Sequence, residues 1–154
     1  MRRAEPRDAE AIAELSRQLG YPSKVGQTLA RLQRVAQHPS THAVYVAQGA
    51  GGELLGWVHV FASFHVESEP CAEIGGLVVA EPARGSGVGA ALVGRAEDWA
   101  LDRGLDAIRV RSNVIRERAH RFYERAGFTW LKNQVVLQKS LSPAAAAPSD
   151  GGRS

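Results

Sequence analysis

The feature that most constrains this fold is a glycine-rich turn at residues 84–90, with the sequence RGSGVGA, which leads directly into an amphipathic helix. The unpaired N–H groups of a helix N-terminus attract anions, and glycine lets the backbone approach a bound group closely. The pattern predicts a phosphate-binding turn, to which Arg84 adds a charge-assisted contact. The alternative is a helix that uses glycine only for its tight entry. The helix has an apolar face and a glycine stop, formed by Val88, Leu92, Ala96, Trp99 and Gly104.

Two familiar phosphate motifs do not fit this turn. A nucleotide P-loop requires Gly-Lys followed by Ser or Thr at the helix start, and that triplet is absent there. Gly85, Gly87 and Ala90 do match the spacing of a dinucleotide fingerprint. That fingerprint also requires glycines directly at the strand tip and an acidic residue at the end of the next strand. Here residues 81–83 intervene, and the next strand ends without an acidic residue.

The rest of the chain alternates strand patterns with helical patterns, which favours a mixed α/β or α+β layered fold. Helices are predicted from the N-cap Asp8 to Gly20, from Leu29 to about residue 38, and over residues 88–104 and 116–127. Strands are predicted at residues 2–5, 43–48, 54–66, 72–80 and 107–112, with 128–141 as a closing strand or hairpin. Gly75 and Gly76 interrupt the strand at 72–80, where they permit a bulge or a close ligand approach.

Length and composition indicate one globular domain. The chain has 154 residues, of which 44% are hydrophobic and 23% are charged, and these values exclude collagen-like and acidic disordered chains. From residue 142 onward the sequence lacks large apolar residues. We therefore expect a domain over residues 1–141 and a disordered tail over residues 142–154. No signal-peptide pattern or run of about 18 apolar residues is found, so we expect a soluble cytoplasmic protein.

Charge and cysteine content exclude several further classes of protein. The net charge of +3 arises from 19 basic and 16 acidic residues spread along the chain, which does not favour nucleic acid as a partner. The densest basic stretch, residues 109–125, keeps DNA binding as a weak alternative. The single Cys71 excludes an intramolecular disulfide, and no spaced Cys/His set predicts a metal site.

Two spaced motifs make the chain resemble the GNAT superfamily of N-acetyltransferases. The first is Arg/Gln-x-x-Gly-x-Gly/Ala, here Arg84, Gly87 and Gly89. The second is an Asn after the following strand, then a helix ending Tyr-x-x-x-Gly-Phe, here Asn113 and the residues from Tyr123 to 128. The resemblance covers residues 2–141. It implies a mixed, mostly antiparallel sheet with a splayed central strand pair and helices on both faces.

The resemblance also implies an activity, a co-substrate and a site. The activity is acetyl transfer from acetyl-CoA to a primary amine by direct attack in a ternary complex, without a metal. An amine substrate is the expected partner, membranes are not, and a homodimer is compatible with the sequence. The residues implied to hold the cofactor are Leu77, Val78, Val79, Arg84, Gly85, Ser86, Gly87, Val88, Gly89, Ala90 and Asn113.

Two residues are implied to manage the protons of the reaction. Glu73 aligns with a glutamate that some members of the family use as general base, although many small-molecule members use a water chain instead. Glu67 and Glu69 are second choices that attract a cationic amine. Tyr123 is implied to face the departing sulfur, and its alternative is a packing role on its helix. Cys71 has no neighbouring base and is expected to be structural.

The acceptor stays open at this point. Candidate acceptors are an aminoglycoside or other small amine, a polyamine, an amino acid, or a protein N-terminus or lysine. The main alternative to an enzyme is a catalytically silent acyl-CoA sensor or interaction domain of the same fold, because a fold does not determine a function.

Overall fold

The computed structural model describes residues 1–142. The chain divides into two compact units, one formed by Met1–Val110 and the other beginning at Arg111. The first unit holds the sheet and three helices, and the second holds a fourth helix. The predicted tail at residues 142–154 lies outside the described residues, apart from its first residue.

The first unit follows the predicted order of elements. Its strands are β1 (Arg2–Arg3), β2 (His42–Gln48), β3 (Leu54–Ser63), β4 (Cys71–Val79) and β5 (Ile108–Val110). Its helices are α1 (Ala9–Gln18), α2 (Val25–Ala36) and α3 (Val88–Asp102). The first and last strands are shorter than predicted, and β3 ends three residues early, because residues 64–70 form an exposed loop without strand pairing.

The five strands form one mixed sheet in chain order. Each neighbouring pair is antiparallel except β4 and β5, which are parallel. The pairing of β3 with β4 shifts register between His59 and Val60, because β4 carries one extra residue at Gly75. The predicted bulge at the two glycines is therefore present.

Helix α3 covers one face of the sheet. Val58 and Val60 point to this face and are completely buried, as is Leu92 of α3. The helix approaches so closely that a Cβ on Gly56 would lie 3.0 Å from a Leu92 methyl carbon. Trp99 is also buried in this layer, which forms the core of the unit.

Helix α1 begins where the sequence predicts, but Asp8 does not cap it. The Asp8 carboxylate instead accepts two hydrogen bonds of 2.8 Å from the Arg2 guanidinium and one of 2.7 Å from the Glu5 backbone N–H. The carboxylate is thereby held by Arg2 of β1 and by the backbone at the start of the short 3-10 turn Pro6–Asp8, and it does not cap α1. The charged partner adds to this hold, since hydrogen bonds between charged groups are the stronger ones.

The second unit contains helix α4 (Glu117–Arg125), as predicted. The predicted closing strand at residues 128–141 is wrong: no strand is assigned there, and all of residues 129–142 are exposed. The β-branched residues of this segment fit a strand, but a strand forms only with a hydrogen-bonding partner, which a sequence pattern cannot supply. The α+β fold class with a mixed sheet is confirmed.

Candidate active site

The glycine-rich turn has the backbone that the sequence predicts. Gly85 and Gly87 have φ angles of 78° and 90°, in the left-handed region that side chains rarely adopt. Gly87 is the N-cap of α3, and no side chain caps this helix. The Ala91 N–H donates to the Gly87 carbonyl, so the amides of the three residues before it have no acceptor within the helix. These donors point out of the helix end at an exposed turn.

Arg84 connects this turn to the end of β4. Its Nε donates a 3.2 Å hydrogen bond to the Val79 carbonyl, and the Ser86 hydroxyl donates to the Ala83 carbonyl. Residues 84–87 are all exposed, which leaves the positive guanidinium accessible to a ligand, while the Arg84 and Ser86 N–H groups donate to the Glu81 and Ala83 carbonyls. Hydrogen bonds within the turn therefore fix its shape, while its outer surface is exposed.

The strand before the turn has an unpaired edge. In the part of the chain that the structure describes, β5 pairs with β4 only at residues 72–74. Residues 77–79 pair with β3 on the opposite side, so their other edge is not covered by β5. Backbone N–H and C=O groups at such an edge can pair with the amides of an added ligand strand.

Glu73 lies on the paired part of β4, two residues before the bulge. Glu73 is 7% exposed, and it stands in register with Phe61 on β3 and with Arg109 on β5. Glu67 and Glu69, by contrast, are in the exposed loop between β3 and β4. Cys71 is a buried free cysteine at the start of β4.

The bulge brings a histidine that the sequence reasoning did not single out as functional. The His59 ring lies over Gly75, and its Nε2 is 3.0 Å from His42 Nδ1 on β2. Burial lowers the pKa of His59 to about 4, and His42 acts in the same direction. The sequence predicts the bulge at Gly75 and Gly76, but it does not predict that the His59 ring lies over this bulge.

Tyr123 lies on α4 in the second unit. Its ring makes edge-to-face contacts with Phe122 and Phe128, with centroids 5.0 and 5.3 Å apart. Burial raises the pKa of Tyr123 to about 12, and the nearby charge of Arg116 opposes part of that shift. The hydroxyl is therefore protonated at any physiological pH.

Asn113 shapes the entry to α4. Its side-chain Oδ1 accepts a 3.1 Å hydrogen bond from the Ile115 N–H, which is an Asx-type turn. Its backbone carbonyl accepts from the Arg116 N–H at 3.0 Å and lies 2.8 Å from His120 Nε2. His120 also packs edge-on against Trp130, so it has a structural role in this unit.

Residues 1–142 contain neither a metal-binding cluster nor a membrane-spanning helix. No group of three or more His, Cys, Asp or Glu side chains is arranged to hold a metal ion. No helix in the same part of the chain is long and apolar enough to cross a membrane.

Comparison with known proteins identifies the family. The sequence profile of the Acetyltransferase (GNAT) family matches residues 9–128. The chain belongs to this family. It is 31% identical over 150 residues to the aminoglycoside N(6')-acetyltransferase type 1 of Stenotrophomonas maltophilia, with 94% of this chain and 95% of the relative covered. The predicted GNAT resemblance is therefore confirmed.

Two further GNAT proteins extend the comparison. The aminoalkylphosphonate N-acetyltransferase of Salmonella typhimurium strain LT2 is 36% identical over 78 residues, which cover 50% of this chain and 51% of the relative. A solved aminoglycoside N-acetyltransferase in complex with CoA superposes with a TM-score of 0.79 at 18% identity, covering 90% of this chain and 92% of its own. The prediction of an acetyl-CoA-dependent GNAT N-acetyltransferase is confirmed at this level.

Proposed function

We propose that this GNAT enzyme transfers the acetyl group of acetyl-CoA to a primary amine by direct attack in a ternary complex. The amine nitrogen bonds to the thioester carbonyl carbon, the C–S bond breaks, and CoA leaves with the electron pair on sulfur. One observation carries the proposal: the exposed turn at residues 84–87 and an uncapped helix follow directly from a strand end whose outer edge is unpaired. This is a site for an anion joined to an amide-containing arm.

The cofactor contacts follow from that geometry. The pyrophosphate binds at residues 84–90, where the Arg84 and Ser86 N–H groups donate within the turn and the amides of residues 88–90, at the start of α3, are left for the ligand. The pantetheine arm pairs with the edge of residues 77–79 that β5 does not cover. Asn113 holds the start of α4 through its Asx turn, and the GNAT resemblance assigns it to the cofactor.

Glu73 removes the proton of the acceptor. An aliphatic ammonium with a pKa near 10.4 requires about 4.6 kcal/mol to be presented neutral at pH 7, so a base or a desolvating site must offset that free energy. Glu73 is the buried carboxylate on β4, between the sheet core and the bulge. A water chain that ends at Glu73 is the alternative to direct contact.

Tyr123 stabilises the leaving sulfur by a hydrogen bond rather than by full proton transfer. With its pKa raised to about 12, complete transfer to a thiolate whose conjugate acid has a pKa near 8.5 would cost about 5 kcal/mol. A protonated phenol can still donate a hydrogen bond as negative charge develops on sulfur. The burial that raises the pKa also keeps the donor protonated.

The acceptor that we propose first is an aminoglycoside amine. The relative that is similar over nearly the whole chain is named for acetylation of an aminoglycoside N(6'). The exposed Glu67 and Glu69 on the loop between β3 and β4 add negative charge that attracts a polycationic substrate. An aminoalkylphosphonate is the second candidate, because a relative that is similar to about half of this chain is named for acetylating it.

The decisive experiment measures thiol release from acetyl-CoA with a panel of amines. The panel contains a 6'-amino aminoglycoside, an aminoalkylphosphonate, spermidine, lysine amide and a peptide with a free N-terminus. We expect amine-dependent release of CoA, fastest with the aminoglycoside. Calorimetric binding of CoA without turnover on any amine would instead identify a silent acyl-CoA sensor.

The role of Glu73 is tested by Glu73→Gln, which keeps size and hydrogen bonding and deletes the base. We expect a loss of rate that is largest near pH 7 and recovers partly at high pH, where more amine is already neutral. If Glu73 only attracts the cation, KM rises and kcat stays nearly constant. Glu53→Gln, the same change in the exposed hairpin between β2 and β3, is the matched control. A pH–rate profile and KM identical to those of the parent would remove Glu73 from the mechanism.

A further inference from the structure

Two histidines lie side by side on the face of the sheet opposite α3. His42 on β2 and His59 on β3 have ring centroids 5.3 Å apart and planes inclined by 18°, and their Nδ1 and Nε2 atoms are 3.0 Å apart. Phe61 packs against both rings at 5.5 Å. Because Phe61 stands in register with Glu73, the pair shares the sheet face that carries this carboxylate. The arrangement is a hydrogen-bonded pair of imidazoles beside the proposed base.

The inner end of this pair faces the bulge. His59 stands in register with Gly76, and a Cβ on Gly75 would lie only 2.7 Å from His59 Nδ1. Gly75 is exposed, and within residues 1–142 His59 Nδ1 is not among the fully enclosed polar side-chain atoms that lack a hydrogen-bond partner. Within residues 1–142, the hydrogen bond of the His59 ring is the one to His42 through Nε2. The Nδ1 atom is therefore available to a water molecule or a substrate.

The outer end of the pair reaches a pocket on the same side of the sheet. His42 is partly exposed and lines this pocket together with Leu32 and Val35 of α2 and Pro39 of the following turn. The centroid of the His38 ring, in the turn between α2 and β2, lies 6.2 Å from that of the His42 ring. The two imidazoles therefore connect the strand face near the bulge with the surface beside α2.

We propose that His59 and His42 form a proton path that carries the proton lost by the acceptor amine from the face beside Glu73 to solvent. This inference rests on the proposed acetyl transfer. His59 Nδ1 accepts the proton that Glu73 has taken from the amine, while its Nε2–H passes to His42 Nδ1. His42 then releases its own Nε2–H to water in the pocket. One proton enters at His59 and one leaves at His42. After the product has left, the relay runs once in reverse, from pocket water to water in the vacated acceptor site, and this restores the starting tautomers while the amine proton stays in bulk solvent.

The charges around the pair fit a path that does not store a proton. Burial lowers the pKa of His42 as well as that of His59, and His38 adds to this effect. With a pKa of about 4, roughly one His59 ring in a thousand carries a charge at pH 7. The charged groups near the pair are Glu73 on β4 and, at the pocket, Arg3 and Glu5. Transfer through neutral rings suits this setting, because a resident imidazolium would be poorly solvated there.

The kinetic test uses His59→Gln and His42→Gln, which keep polarity and approximate size but cannot relay a proton through two ring nitrogens. His65→Gln, on the exposed loop after β3, is the matched control. The assay uses acetyl-CoA and the amine of the panel that the parent acetylates fastest, from pH 6 to pH 9. We expect kcat to fall about tenfold or more at pH 7 in both variants, with KM for acetyl-CoA unchanged. The double variant should lose no more than either single variant, because the two rings act as one path.

A rescue experiment separates a proton path from a packing role. In His42→Ala, removal of the ring opens the pocket, so added imidazole should restore kcat in proportion to its concentration, whereas it should not change the parent. A parental kcat in folded Gln variants would overturn the proposal. An activity loss that imidazole leaves unchanged and that accompanies weaker CoA binding would overturn it too, in favour of a structural role.

A measurement without any acceptor tests the same pair. In protein labelled with ¹⁵N-histidine, the path requires His59 and His42 both to be neutral from pH 6 to pH 8, with the proton on Nε2 and Nδ1 unprotonated. A proton on His59 Nδ1 would exclude that atom as acceptor and refute the path. Failure of the acetyl-transfer proposal looks different: the parent would then release no thiol with any amine, whatever the tautomers.

Discussion

Gly87 is the position where backbone geometry and cofactor binding can be tested by the same substitution. Its φ of 90° lies in the left-handed region, and a Cβ there would meet no atom within 4 Å. Steric space therefore contributes nothing to the effect of Gly87→Ala, and the backbone penalty of about 1–2 kcal/mol remains. For a chain of this length that corresponds to a Tm lower by about 2–8 °C.

Gly94→Ala is the matched control on the same helix. Gly94 lies inside α3, and a Cβ there also meets nothing within 4 Å. In a helix interior, alanine is favoured over glycine by about 1 kcal/mol, so this variant should melt about 2–4 °C higher than the parent. The same chemical change thus has opposite signs at two positions seven residues apart.

Thermal unfolding and calorimetry with CoA together decide the matter. We expect Gly87→Ala to weaken CoA binding as well as stability, since the altered turn no longer directs its amides outward, whereas Gly94→Ala should bind CoA like the parent. An unchanged or higher Tm for Gly87→Ala would refute the left-handed N-cap. A lower Tm with parental CoA affinity would refute the assignment of the pyrophosphate to this turn.

Three other predictions concern single contacts. Tyr123→Phe should lower kcat about 10- to 100-fold with unchanged calorimetric affinity for CoA, since the hydroxyl acts only as charge develops on sulfur. Asp8→Asn should lower the free energy of unfolding by about 2–3 kcal/mol in urea titrations at pH 7. The hydrogen bonds from Arg2 hold the pKa of Asp8 below its usual 3.8, so this contribution is complete above about pH 5 and the gap to Asp8→Asn closes as the pH falls through the lowered pKa. Gly75→Ala should cost about 1–3 kcal/mol, measured in the same way, because its Cβ would press on His59.

The turn and α3 could be predicted because their signals are local. Glycines at residues 85 and 87 indicate a turn because few other residues adopt the left-handed backbone that a tight turn requires, and an apolar face at helical spacing identifies the helix that follows. The order of strands followed in the same way from short apolar runs between turn residues. These parts of the fold depend on neighbours within a few positions along the chain.

Parts that depend on distant partners could not be predicted in this way. Asp8 has the usual sequence position of an N-cap, yet Arg2 takes its carboxylate, because the β1 strand places that guanidinium within 2.8 Å. Residues 128–141 have strand-like composition, but composition says nothing about whether a free edge is available to them. In both cases the deciding interaction lies outside the segment whose pattern was read.

The histidine pair could not be predicted for a further reason, which is that its position depends on the register between β3 and β4. The His59 and Val60 side chains point to opposite faces of β3. The bulge at Gly75 shifts the pairing of β3 with β4 between these two residues. A one-residue difference in that shift would move every following β4 side chain to the other face of the sheet. Sequence identifies Gly75 as a bulge position, but it cannot say that the vacated space holds the His59 ring. The proposed proton path therefore depends on the two glycines of β4 as much as on the two histidines, since a side chain at Gly75 would occupy the space beside Nδ1.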